Sequence, residues 1–269
     1  MFSINKWKLV YLIIGVIGVF VLAYFEITGR FQYPIIILYA LLFFILTIYL
    51  HRAEKNKIMK LQLIYIHDLE PLIYLSEYEK YNKRRLRSKT FKTLDKINSV
   101  VILIDAGEIE EAHRLLMELT EEEPEFGIFL RFWFYNAWIH YFDQIDDLPR
   151  MKVLLEEIKK LLPLFPLKQK PKMYANYEMI SVKVGIREGK DLEAAENYLT
   201  YILRGHLPKI TVLKCIYQLG IIAHKKGAQQ TAKNRFLAVI ANGKNLNITR
   251  KAKAYLEKIE PSISEENSQ

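Results

Sequence analysis

The chain offers few residues that could perform chemistry, and their spacing limits what that chemistry is. Glu110 and His113, in the run "EEAH", put a carboxylate and an imidazole on one helix face. Di-iron bundles need two such pairs plus further carboxylates, and no second ExxH occurs, so an ordinary polar face is expected. The other histidines are dispersed, with neither HExxH nor CxxC spacing, so no metal is expected. P-loop, GxGxxG and GxSxG patterns are also missing. The expectation is a protein that is not an enzyme and carries no cofactor. Cys215 is the single cysteine, which excludes an intramolecular disulfide and fits a reducing compartment. It reads as a small buried hydrophobe on a helix.

Charge and hydropathy divide the chain sharply. Residues 1–50 hold only Lys6, Lys8, Glu26 and Arg30 as charges. Within them, Trp7–Phe25 and Phe31–Leu50 are apolar runs of 19 and 20 residues. A helix needs roughly 20 apolar residues to cross ~30 Å of hydrocarbon, so a transmembrane hairpin is expected here. Trp7, Tyr24, Tyr33 and Tyr49 suit the interfacial belts, and Pro34 falls in a first helical turn. A cleaved signal peptide fits less well, because "VLAYFEITG" lacks a small-x-small site and a second run follows at once. Lys6 and Lys8 precede the hairpin and Arg52, Lys55, Lys57 and Lys60 follow it. The positive-inside rule then places both termini in the cytoplasm, in the plasma membrane.

Residues 51–90 form a basic neck, densest at "KYNKRRLRSKTFK", 80–92, with seven basic residues in 13. Arg52, Lys83, Arg84, Arg85 and Arg87 are expected to face anionic lipid, at ~1 kcal/mol for each cation close to the headgroups. No nucleic-acid motif accompanies these charges, and no nucleic acid is expected as a partner.

Beyond residue 90 the apolar spacing is helical almost throughout, and the fold class expected is all-α. Breaks fall at Gly107, near Asp147, at Gly189 and at Gly227, about 40 residues apart. A period of that size signals stacked helical hairpins, none able to bury its apolar face alone. The second hairpin opens with "FGIFLRFWFYNAWIHYF", nine aromatics in 17 residues, expected as a core helix rather than a third span because of Arg131, Asn136 and His140. "PLFPLKQKP" is either a division of the array into halves or a long connection. A capping helix from about Ile248 to Glu260, stopped by Pro261, and a polar tail over 261–269 complete the chain.

In "YQLGIIAHKKGAQQTAKNRF", 217–236, the chain resembles the tetratricopeptide repeat family, through Ile216, Leu219, Gly220, Ala223, Ala232 and Phe236. Gly189, Ala194 and Tyr198 echo the pattern in the third hairpin, and Gly107, Ala112, Leu116 and Pro124 in the first. Ala223 and Lys244 depart from it, and the second hairpin holds almost none of it. Repeat packing is therefore assigned to Gly107, Ala112, Gly189, Ala194, Leu219, Gly220, Gly227, Ala232 and Phe236. The resemblance implies an irregular α-solenoid of about four helix pairs over 91–260, a concave protein-binding surface and no catalysis. Its groove positions map to Asn176, Lys183, Lys214, Tyr217 and His224, with Tyr141 from the second hairpin. Lysine and tyrosine there suit an acidic or C-terminal peptide.

These readings converge on a membrane-anchored cytoplasmic platform that binds an unidentified protein or peptide. The alternative is an accessory subunit of a transport or envelope-assembly complex that makes contact through its membrane helices. Homo-oligomers fit either. The Lys- and Ile-rich composition with a two-span head resembles low-GC bacterial membrane proteins.

Overall fold

Residues able to adopt left-handed backbone set the helix boundaries. In a computed structural model of the protein, the described residues are 4–5, 15–16, 18–20, 23–24, 27, 33–83, 85–86 and 88–266. Elements with described bounds are β1 (Ile4–Asn5), α1 (Tyr33–Ile66), α2 (Pro71–Asn82), β2 (Arg85–Leu86), α3 (Lys89–Ala106) and α4 (Ile109–Glu122). They continue with α5 (Ile128–Gln144), α6 (Leu148–Leu161), α7 (Lys170–Glu188), α8 (Leu192–Ile202), α9 (Lys209–Lys225), α10 (Gln229–Asn242) and α11 (Asn247–Glu266). Among the described residues beyond 90 there is no strand.

Four hairpins follow one another, α3–α4, α5–α6, α7–α8 and α9–α10, and a left-handed residue closes the first helix of each. These are Gly107 (φ 87°), Asp146 (57°), Gly189 (81°) and Gly227 (78°). The residue after each donates its N–H back five positions, to Leu103, Phe142, Gly185 and Ala223, at 2.9–3.0 Å. These are Schellman closures, which satisfy carbonyls that a helix end would leave unpaired. Asp146 shows why the second break had no glycine, since aspartate tolerates this conformation better than most residues.

Five residues after the left-handed position come Ala112, Met151 and Ala232, all buried. In the third hairpin, Asp191 is left-handed as well (φ 49°), and the turn holds one more residue. That residue shifts the register, so Ala195 is buried and Ala194 is exposed, a one-position correction to the sequence reading. Leu219, Gly220, Ala232 and Phe236 are all buried where α9 meets α10.

The core steps along the hairpins. One cluster joins α3 and α4 to α5 through Val100, Leu116 and Phe134. The next joins α5 and α6 to α7 through Phe132, Ile158 and Val184. A third joins α8 to α11 through Leu199, Ile222, Phe236 and Ile259. The aromatic helix α5 thus lies in the core, with Trp133 and Trp138 packing against both of the first two clusters. "PLFPLKQKP" is a connection inside one body, with its Phe165 and the preceding Leu162 buried in the second cluster. α11 does not stop at Pro261. Its backbone stays helical to Glu266, since one proline forfeits a single donor and crowds one turn.

The chain forms two compact units, one of residues 64–75 with 90–269 and the other of 1–63 with 76–89. Ile64–Leu75, assigned to the neck from sequence, therefore belongs with the helical body. There Leu69 is fully buried against Ile210, Leu213 and Leu246.

In the other unit, β1 and β2 pair antiparallel, Ile4 with Leu86 and Asn5 with Arg85. Gly15 is buried, and a Cβ there would lie 2.6 Å from the Phe43 ring, so helical residues near 15 pack closely on α1. Most of the first apolar run, Trp7–Phe25, lies outside the described residues, as do Arg84 and Arg87. Arg52 and Lys83 are exposed. Among the described residues no helix is long and apolar enough to cross a membrane. Of Phe31–Leu50, the described side chains are Ile37 and residues 40–50. That unbroken stretch of 11 residues rises about 16 Å, half of a ~30 Å hydrocarbon layer.

Candidate functional site

The first helices of the four hairpins, α3, α5, α7 and α9, line one recess, to which α11 adds Ile248 and Lys251. Its volume is about 300 Å³, at the small end of ligand pockets, which run roughly 300–1,000 Å³. Val101, Trp133, Ile186 and Ile248 give it apolar walls.

The polar side comes mainly from one stripe of α5. Asn136, His140 and Asp143 recur at helical spacing, so they share a face of a helix that is otherwise apolar. Asp143 is 5% exposed and stands in the last turn of α5, where the helix dipole disfavours negative charge. Three cations compensate. Lys183 Nζ lies 2.8 Å from Oδ2 and Arg187 Nε 2.5 Å from Oδ1, both from α7. From α11, Lys251 Nζ donates to the Asp143 carbonyl at 3.2 Å. Burial alone would raise the Asp143 carboxyl, but Lys183, Arg187 and Lys251 outweigh it and hold it well below the usual carboxylate range. Burial pushes His140 well below its ordinary value, helped by Lys183, whose Nζ is 3.3 Å from His140 Nδ1, and by Lys214. The imidazole is therefore neutral at physiological pH.

A second ion pair also lines the recess. Lys214 of α9 meets Asp105 of α3 at 2.6 Å, and the Tyr65 hydroxyl donates to the same carboxylate. The inner helices of the first and fourth hairpins are therefore joined directly. The open concave channel implied by the family resemblance is here a short, bridged recess. Later helices also cap earlier ones: Arg250 donates to Ala106 O at 2.6 Å and Lys225 to Arg187 O at 3.0 Å. Both cations sit at helix C-termini, where the dipole favours them.

Burial dominates Lys251 and lowers its ammonium to about 8, against opposition from Asp143 and with Arg187 and Lys183 assisting. A base depressed in the folded state destabilises the fold below that value. The penalty fades between about pH 8 and the ordinary 10.5 as the unfolded chain alone stays protonated. Wild-type stability should accordingly rise relative to Lys251→Met across that window, by at most about 3 kcal/mol, in urea titrations at pH 7 and pH 10.

Of the residues assigned to a partner groove from sequence, Asn176, Lys183, Lys214 and Tyr217 line the recess. Tyr141 and His224 do not. Tyr141 stacks on His113 at 4.9 Å, which also accounts for the imidazole of the "EEAH" run. His224 Nδ1 lies 3.0 Å from Gln229 Oε1, and its ring meets Tyr255 edge-on. No group of histidine, cysteine and carboxylate ligands that could hold a metal exists among the described residues. Cys215 also lines the recess, but burial pushes its thiol up to about 11, which keeps it protonated and unreactive.

Sequence reasoning missed Asn136, His140, Asp143 and Gln218 as one polar surface, together with Lys251. The signal was present in part: the polar stripe of α5 and the Lys183–Arg187 pair four residues apart on α7. Their meeting is tertiary. No family model, curated protein sequence or solved structure matches the chain.

Proposed function

We propose that the protein is a membrane-anchored adaptor, whose tetratricopeptide-like array holds a segment of a partner protein at the mouth of the recess. The observation that carries this reading is the convergence of α3, α5, α7 and α9 on one recess whose lysines, Lys183, Lys214 and Lys251, outnumber its carboxylates, Asp105 and Asp143. Met179 is the exposed lining residue, at 42%, and Asn176 and Lys214 line the same recess half-buried. A flexible thioether flanked by an amide and a cation suits an adaptable contact with an acidic segment.

Anchoring is supported by the apolar runs of residues 1–50. Leu41, Leu42, Phe44, Ile45 and Leu46 are all exposed on α1, which makes that stretch apolar around its circumference rather than along one stripe. Exposed Arg52 and Lys83 fit an anionic leaflet on the cytoplasmic side.

Two measurements test the parts separately. The intact chain should stay with membranes through high-salt washing, whereas residues 51–269 should not; release of the intact chain by salt alone refutes the anchor. Met179→Glu should cut partner recovery from detergent extracts about tenfold or more, with circular dichroism unchanged. Undiminished recovery refutes the mouth as the docking site. The exposed apolar positions of α1 also fit the accessory-subunit reading. Replacing residues 1–50 by an unrelated two-span anchor decides between them: activity kept favours the adaptor, and activity lost favours direct contact through the anchor.

A further inference from the structure

Asn136 Oδ1, Tyr217 Oη and Gln218 Oε1 are buried polar atoms without a hydrogen-bond partner, and all three residues line the recess. Asn136 is only 8% exposed and Tyr217 only 3%. Leaving such an atom unpaired costs about 1–3 kcal/mol, so three around one space mark a place that a polar molecule completes. Formal charge points the same way. Lys183 and Arg187 share the Asp143 carboxylate, Lys214 pairs with Asp105, and Lys251 donates only to the Asp143 carbonyl. Set against Asp105, Asp143 and Asp146, which meets Arg187 at 3.4 Å, the four cations leave one positive charge in excess. The excess calls for an anion.

We propose that the deep part of this recess binds a small organic acid with one carboxylate, one hydroxyl or amide N–H beside it, and an apolar body about the size of a benzyl group. Each part meets its counterpart on the wall. The carboxylate faces Lys183 and Lys251 and accepts from the Tyr217 hydroxyl. The neighbouring hydroxyl or N–H donates to the amide oxygen of Asn136 or Gln218. The apolar body lies against Trp133, Ile186 and Ile248. The Lys214–Asp105 bridge limits the length of the occupant, which favours a free small molecule over a continuing chain. An occupant would touch α5, α7, α9 and α11 together, so binding should stabilise the body as a whole. This inference needs only the cavity. Its failure leaves the adaptor reading standing, and loss of partner capture leaves acid binding untouched.

The test is titration calorimetry on the full chain in non-ionic detergent, with micelle-only controls and thermal unfolding in parallel. The probe is phenyllactate, and the comparators are 3-phenylpropane-1,2-diol, 3-phenylpropionate and the tripeptide Gly-Gly-Phe. Phenyllactate should bind saturably and raise the unfolding temperature. The diol, without a carboxylate, should bind at least about tenfold more weakly, and phenylpropionate, without the hydroxyl, several-fold more weakly. Lys251→Met should weaken phenyllactate about tenfold. Tyr217→Phe, which removes only an unpartnered oxygen and so leaves the fold intact, should weaken it several-fold. No saturable binding of phenyllactate, equal affinity for the diol, or unchanged affinity in both variants overturns the proposal. Tighter binding of the tripeptide overturns it in favour of a chain end.

Discussion

Asp143→Asn is expected to cost about 3–5 kcal/mol of unfolding free energy, among the largest losses available from one side chain in this protein. The substitution preserves shape and removes charge. It leaves Lys183 and Arg187, at 16% and 13% side-chain exposure, beside one another without the carboxylate that holds them. Lys251 donates to the carbonyl of the same residue and joins the repulsion. Asp146 contributes little relief, since its side chain is 80% exposed and 3.4 Å from Arg187. Urea unfolding at pH 7 measures the loss, and a change under about 1 kcal/mol would show that water or alternative rotamers already screen the cluster.

The same substitution makes two predictions about pH. The Asp143 carboxyl binds its proton less readily in the folded state than in the unfolded chain. Its stabilisation is therefore complete above about pH 4 and drains away as pH falls below that. The gap between wild type and Asp143→Asn should narrow in that acid range. It should also narrow toward pH 9, because Lys251 can lose its proton and remove one of the three stranded charges.

What the sequence could express is the local part of this arrangement. Gly107, Gly189 and Gly227 are legible as turns because only glycine takes left-handed backbone without steric cost. Asp146 was nearly legible, one residue from where the break was read. The Ala194 assignment slipped because the extra left-handed residue, Asp191, resembles an ordinary helix start. Asn136 and His140 were visible as costly groups in an apolar helix, but Asp143 beside them was not, and the cations that meet His140 and Asp143 lie 40 to 108 residues away in sequence: Lys183, Arg187 and Lys251. Long-range ion pairs of this kind leave no periodic trace. The bridging of α3 to α9 is likewise invisible, because a repeat period specifies how neighbours stack but not how far the array curves before its ends meet.

Phe236→Ala is the second large expected loss, about 3–5 kcal/mol. Phe236 is fully buried, stacks on Tyr255 at 5.0 Å with rings 14° apart, and lies 5.9 Å from Tyr217. It thus ties α9, α10 and α11 together behind the wall of the recess. Gly220 is the other half of the contact, because a Cβ there would stand 2.7 Å from the Phe236 ring. Gly220→Ala alone should therefore destabilise by about 1–3 kcal/mol through overpacking. It should do so although alanine is the better helix former by about 1 kcal/mol. In the Phe236→Ala background the ring is gone and the added methyl enters the space it vacated. There the same Gly220→Ala change should stabilise, by up to about 1 kcal/mol, since the propensity gain is no longer opposed. Unfolding curves for the four proteins of this cycle decide the matter. A reversal of sign identifies the ring as what excludes a side chain at 220; an equal cost in both backgrounds assigns the exclusion to the backbone of α10 instead.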